Sequence, residues 1–157
     1  MIIIAHRGNI DGPNSNLENS PEYIDFAIEA GFDVEIDLRM KDGSLYTGHD
    51  KPIYKLPSGW IDKRKEKLWI HCKDRESLDF CSNSLDLHYF YHENDRYTLT
   101  SKAIGWVLVG QIAYSNSIIV LPERFEYYSK YDRIMETKGI CTDNCNYYRR
   151  ILLNEME

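Results

Sequence analysis

Ile2-Ile3-Ile4-Ala5 is a wholly apolar run, three of its four residues β-branched, that passes directly into His6-Arg7-Gly8. A strand with no polar face has to be covered on both sides, which is the condition of a parallel sheet flanked by helices. The following segments supply the helices and partners this requires. Ser20-Pro21-Glu22 offers an N-cap, a proline at the first helical position and an acidic first turn. The helix they begin runs to about Ala30, with Tyr23, Phe26, Ala27 and Ala30 on one face, and Gly31 ends it. Residues 32–38, 68–73, 88–92, 106–109, 118–121 and 139–142 read as further strands. Helices are predicted over 75–82, capped by Asp74, over 122–136 and from Asn144 or Cys145 onward. Asp42-Gly43 is a turn, after which 44–47 returns as a short extended segment.

Strands alternating with helices predict an α/β fold, a compact or incomplete (β/α) TIM-like barrel of about seven predominantly parallel strands. A full eightfold barrel usually needs roughly 200 residues or more. With 157 residues some helices must be missing, mainly between 92 and 118. That length, 43% hydrophobic, fits one core and therefore one domain over 1–157.

The net charge of -6 argues against a general nucleic-acid binder, because nonspecific affinity for phosphate backbones comes from clustered Lys and Arg. The one dense basic run, Lys63-Arg64-Lys65 with Lys67, reads as a solvated face. Cys72, Cys81, Cys141 and Cys145 lack the paired spacing of a structural zinc site, so reduced thiols and a cytoplasmic protein are expected. The apolar stretch at 1–5 is too short for a signal sequence, and nothing approaches the ~20 apolar residues of a membrane span. An incomplete barrel leaves apolar edges that a second copy would cover, which is compatible with a homodimer.

In a parallel barrel the polar residues at the C-terminal ends of strands gather at one mouth. Here those ends carry His6 and Arg7, Glu35 and Asp37, His71 and Lys73, His92 and Glu93, and Thr142-Asp143. Glu35 and Asp37, one residue apart on a strand, point the same way. Two readings fit: the carboxylates share a hard divalent cation, or they face solvent or pair with Arg7 and Lys73. Histidine exchanges protons near neutrality, so His6 beside Arg7 and Gly8, and His49 between Gly48 and Asp50, suit acid and base work.

His6-Arg7-Gly8, Leu17-Glu18-Asn19-Ser20, the stretch Ala30-Gly31-Phe32-Asp33-Val34-Glu35-Ile36-Asp37-Leu38, Lys41-Asp42-Gly43 and Gly48-His49-Asp50 together resemble the opening of the glycerophosphodiester phosphodiesterase family. Ile140-Cys141-Thr142-Asp143 resembles its closing strand and 69–73 its third. The resemblance implies a TIM-barrel phosphoric diester hydrolase of the phospholipase-C-like superfamily. His6 and His49 would be its acid/base pair, Arg7 and Lys73 its phosphate contacts, and Glu18 a support for that cluster. One divalent ion, Mg²⁺ or Ca²⁺ foremost, would sit on Glu35 and Asp37. The usual scheme has a neighbouring substrate hydroxyl attack phosphorus, with water then opening a cyclic phosphate.

Two departures stand out. His71 occupies the position of a third carboxylate ligand, which brings Mn²⁺ or Zn²⁺ into consideration, and the chain is shorter than an ordinary member. Residues 92–95 and 98–102 could replace lost pocket groups and contact a sugar or polyol, with His92 a substrate contact. The expected activity is hydrolysis of a glycerophosphodiester or a related polyol or sugar phosphodiester. The alternative is a catalytically silent relative that binds a phosphorylated metabolite or polymer, and a third reading is a structural zinc protein.

Overall fold

The N-terminal apolar run forms β1 (Ile2–His6) at the centre of the sheet, paired in parallel with β2 (Asp33–Lys41) and with β10 (Gly139–Thr142). The structure is a computed structural model that describes residues 1–154. Beyond β2, parallel pairing continues through β5 (Leu68–Cys72) to β6 (Tyr89–Phe90). Beyond β10 it continues through β9 (Ser117–Val120) to β8 (Gly105–Val107). These seven strands are the expected ones, in the spatial order β6-β5-β2-β1-β10-β9-β8.

The sheet is nevertheless mixed, ten-stranded among the described residues, and not the seven-stranded one the sequence predicts. The far end of β2 folds back through the Asp42-Gly43 turn into β3 (Ser44–Thr47), which pairs antiparallel with β2 and with the short β4 (Tyr54–Lys55). On the other edge β7 (Tyr97–Leu99) pairs antiparallel with β8. Ser101, just after β7, donates its N–H to the Tyr89 carbonyl at 2.8 Å. The two ends of the sheet are thereby drawn together, and Phe90 and Trp106 meet across them with ring centroids 4.4 Å apart. The result is a curled, barrel-like α/β sheet.

Helix α1 (Pro21–Glu29) is capped by Ser20, whose Oγ accepts the Tyr23 N–H at 3.3 Å. Its buried face is Ile24 and Ala27, while Phe26, predicted to face inward, is 55% exposed. Helix α2 (Arg75–Ser82) opens with a capping box made by Asp74 and Ser77. The continuous helix predicted over 122–136 is instead two 3₁₀ turns, Pro122–Arg124 and Glu126–Ser129, followed by α3 (Tyr131–Met135). Left-handed Leu121 (φ 48) turns the chain sharply before Pro122, and the extended Phe125 and Lys130 interrupt the helical run. Helix α4 (Cys145–Asn154) follows β10. No helix among the described residues is long and apolar enough to cross a membrane. The four cysteines are buried free thiols.

Two packed layers result. Val34, Ile36 and Leu38 of β2 join Ile24, Ala27 and Phe32 in the layer between sheet and helices. Inside the curl, Ile4, Trp69, Phe90, Trp106, Ile118 and Cys141 form a separate floor.

Candidate functional site

Side chains alternate across a strand, so the residue two places beyond an interior floor residue also points inward, one layer higher. His6 stands above Ile4, His71 above Trp69, His92 above Phe90, Leu108 above Trp106, and Val120 above Ile118. Glu35 joins this layer from β2. They line a cavity of about 280 Å³ together with Arg7, Glu18, His49, Lys73, Glu93, Trp106, Leu121 and Arg124. Asp37 is fully buried against this group. The strand-end polar residues picked out in the sequence thus converge from five parallel strands and the segments after them. Of the loop segments expected to contact a sugar, His92 and Glu93 reach the cavity; Tyr97–Leu99 is strand β7, and Thr100 is buried against His88.

Glu35 and Asp37 are 2% and 0% exposed, which rules out the solvent-facing reading of the alternation. Asp37 Oδ2 accepts from Asn19 Nδ2 at 2.9 Å, and Asn19 Oδ1 accepts the Asp37 N–H at 2.9 Å. Arg7 Nε lies 3.0 Å from the same Oδ2 but off the hydrogen-bonding axis, so Arg7 acts there as a charge. Arg7 Nη1 donates to Glu18 at 3.1 Å, and Glu18 also accepts from Asn9, which holds the guanidinium in place. Asp37 Oδ1 is buried without a hydrogen bond, 3.4 Å from His71 Nδ1 and 3.8 Å from Lys73 Nζ. Burial, with the Asp37 charge, pushes the Glu35 carboxyl up. Burial acts the same way on Asp37, but His71 and Arg7 outweigh it and hold that carboxyl below the usual range.

Glu35, Asp37 and His71 can bring one ligand atom each within 4.8 Å of one another. Two carboxylates and an imidazole nitrogen, with one oxygen unpartnered, are a donor set suited to a divalent cation.

The two histidines share one arrangement. His6 Nδ1 lies 2.7 Å from Asp143 Oδ1, and His49 Nδ1 lies 2.7 Å from Asp50 Oδ1. Each imidazole therefore leaves Nε2 for a ligand. The surroundings differ: the side chains of His6 and Asp143 are 12% and 2% exposed, whereas those of His49 and Asp50 are 42% and 93% exposed. Burial lowers the proton affinity of His6, but the Asp143 hydrogen bond and the charge on Glu35 outweigh that loss and leave it raised. His92 goes the other way, lowered to about 4 by burial and by the neighbouring His71 and Lys73.

His49 is held by the backbone. Gly48 has φ 148, and a Cβ there would lie 2.2 Å from the Lys51 carbonyl oxygen. Arg39 donates from Nε to the Gly48 carbonyl at 3.0 Å and from Nη2 to the His49 carbonyl.

Asp143 is marked in the sequence by its strand-end position and by the resemblance of 140–143 to the family's closing strand, neither of which implies a role for it. Its carboxylate also accepts from Asn9 Nδ2 and Arg124 Nη2, each at 2.9 Å. Glu123 supports that end by accepting the Asp143 N–H at 2.9 Å and the Thr142 hydroxyl. Arg124 carried no signal, because it falls where a regular helix was expected.

No protein-family model matches the chain, and no curated protein matches its sequence. Among solved structures it is similar to the crystal structure of a "putative glycerophosphodiester phosphodiesterase" from Galdieria sulphuraria. The TM-score is 0.53 with 12% sequence identity, over 96% of this chain and 97% of that one. The likeness is one of fold.

Proposed function

We propose that the chain hydrolyses a small phosphodiester, a glycerophosphodiester or a related polyol or sugar phosphodiester. The observation that carries this reading is the pair of histidines, each oriented by a carboxylate on Nδ1, lining one cavity beside the Glu35, Asp37 and His71 cluster. A cavity of about 280 Å³ is at the small end for ligand sites and suits a compact polar diester.

A divalent cation held by Glu35, Asp37 and His71 would supply charge neutralisation at a phosphoryl oxygen. The protein's own groups do the rest. Arg7 and Lys73 bind the remaining phosphoryl oxygens, with Arg7 kept in position by Glu18. His6 acts as base: Asp143 accepts its Nδ1–H, so Nε2 takes the proton from the attacking oxygen and Asp143 stabilises the imidazolium that forms. His49 donates from Nε2 to the leaving alcohol oxygen. It stands at the solvent side, where that alcohol departs.

The test is hydrolysis of glycerophosphodiesters followed by ³¹P NMR, with and without EDTA. EDTA should abolish turnover, and His6→Ala or His49→Ala should each lower kcat by about 10²–10⁴-fold. Full activity in either variant removes the acid/base assignment. Binding without turnover across a panel of diesters would establish the catalytically silent alternative.

A further inference from the structure

The proposed cation site contains an imidazole whose orientation is fixed on every side. His71 Nε2 lies 3.2 Å from the backbone carbonyl oxygen of His92. A carbonyl can only accept, so Nε2 carries the hydrogen, and a cation taking the place of a proton at Nδ1 would meet the ring's lone pair there. The ring is stacked on the His92 imidazole at 4.6 Å and 2° and on Phe90 at 4.9 Å and 16°. Nδ1 is thereby pointed at Asp37 Oδ1, 3.4 Å away, and Glu35 Oε1, 3.8 Å away. The Asp37 oxygen makes no hydrogen bond. With metal–ligand distances of about 2.0–2.2 Å, neighbouring ligands around one ion stand roughly 3.0–3.5 Å apart. The shorter separation falls within that range, and the longer one needs a shift of a few tenths of an ångström.

We infer that His71 ligates the cation through Nδ1, locked in that tautomer by the His92 carbonyl, and that the resulting nitrogen-and-two-oxygen set selects a borderline transition-metal ion such as Co²⁺ or Zn²⁺ over Mg²⁺ or Ca²⁺. Magnesium and calcium are hard ions that favour oxygen, and a neutral nitrogen contributes little to them. Imidazole suits the later first-row ions. The inference rests on the reading of Glu35, Asp37 and His71 as a cation site, but it does not depend on hydrolysis.

The experiment is equilibrium binding of each metal chloride to the chelator-stripped full chain, read by calorimetry, with pulsed EPR on the Mn²⁺ complex. Co²⁺ and Zn²⁺ should bind at least tenfold more tightly than Mg²⁺ and Ca²⁺, and Mn²⁺, the paramagnetic probe, should show ¹⁴N coupling from one imidazole. In His71→Asp the coupling should vanish and the Co²⁺-to-Mg²⁺ affinity ratio should fall at least tenfold. The EPR measurement on the unaltered protein tests the ligand even if the variant fails to fold. Absence of ¹⁴N coupling, or equal affinity for Mg²⁺ and Co²⁺, overturns the inference while leaving a hydrolase with an oxygen-only site. No binding by any of these ions overturns the cation site itself.

Discussion

His6 Nδ1 and Asp143 Oδ1 are 2.7 Å apart across 137 residues of sequence, joining the end of the first strand to the end of the last. Asn9 and Arg124 bind the same carboxylate, so Asp143 ties the nearby loop and the 3₁₀ turn to the histidine.

Asp143→Asn should leave the cavity shape but remove the group that fixes the His6 tautomer. We expect kcat to fall by about 10-fold to 10⁴-fold. The acidic limb of kcat/KM should move to lower pH, because the partner that raises His6 is gone. A pH–rate profile with an unmoved limb would contradict this account.

The same pair makes a stability prediction for the metal-free protein. The folded His6 is raised above its ordinary 6.5, so its contribution is fully present below pH 6.5 and is lost as pH rises through the folded value. The advantage of the unaltered chain over Asp143→Asn in urea unfolding should therefore be larger at pH 6 than at pH 8.5. A charge-assisted hydrogen bond of this kind is worth about 1.5–3 kcal/mol. A difference that grows with pH would reverse the assignment.

Gly48→Ala places a Cβ against the Lys51 carbonyl in a backbone conformation that alanine rarely adopts. The loop must shift, and His49 with it. Arg39→Met removes the donors to the Gly48 and His49 carbonyls without touching the cavity. Both should lower kcat by about 10–100-fold, a scale set by loss of positioning, with KM little changed in Arg39→Met. Steady-state kinetics beside circular dichroism will separate loop displacement from unfolding.

Asp74→Ala tests the fold away from the chemistry. Asp74 Oδ1 accepts the Ser77 N–H at 2.8 Å at the start of α2, and Oδ2 accepts the Met40 N–H at 3.1 Å from β2. Losing the cap should cost about 0.5–2 kcal/mol in thermal or urea unfolding, with activity at 25 °C retained.

Much was legible in the sequence because it is local. Apolar runs at 2–5 and 68–70, alternation at 33–38 and the caps at Ser20 and Asp74 specify strands and helices through side-chain period and hydrogen-bonding chemistry alone. The same period puts Glu35 and Asp37 on one face, and the order of elements brings the ends of parallel strands to one mouth. What only the tertiary structure decided concerns partners distant in the chain. Glu35 and Asp37 are buried because the curl of the sheet brings Arg7, Asn19 and His71 against them, which alternation cannot reveal. Arg124 reaches the site because a left-handed turn at Leu121 redirects the chain before Pro122 and extended Phe125 breaks the segment that reads as helix, and Asp143 finds His6 because β10 lies beside β1. The His92 carbonyl that sets the His71 tautomer is a backbone atom on the neighbouring strand's continuation, and no residue pattern records where such an oxygen will point.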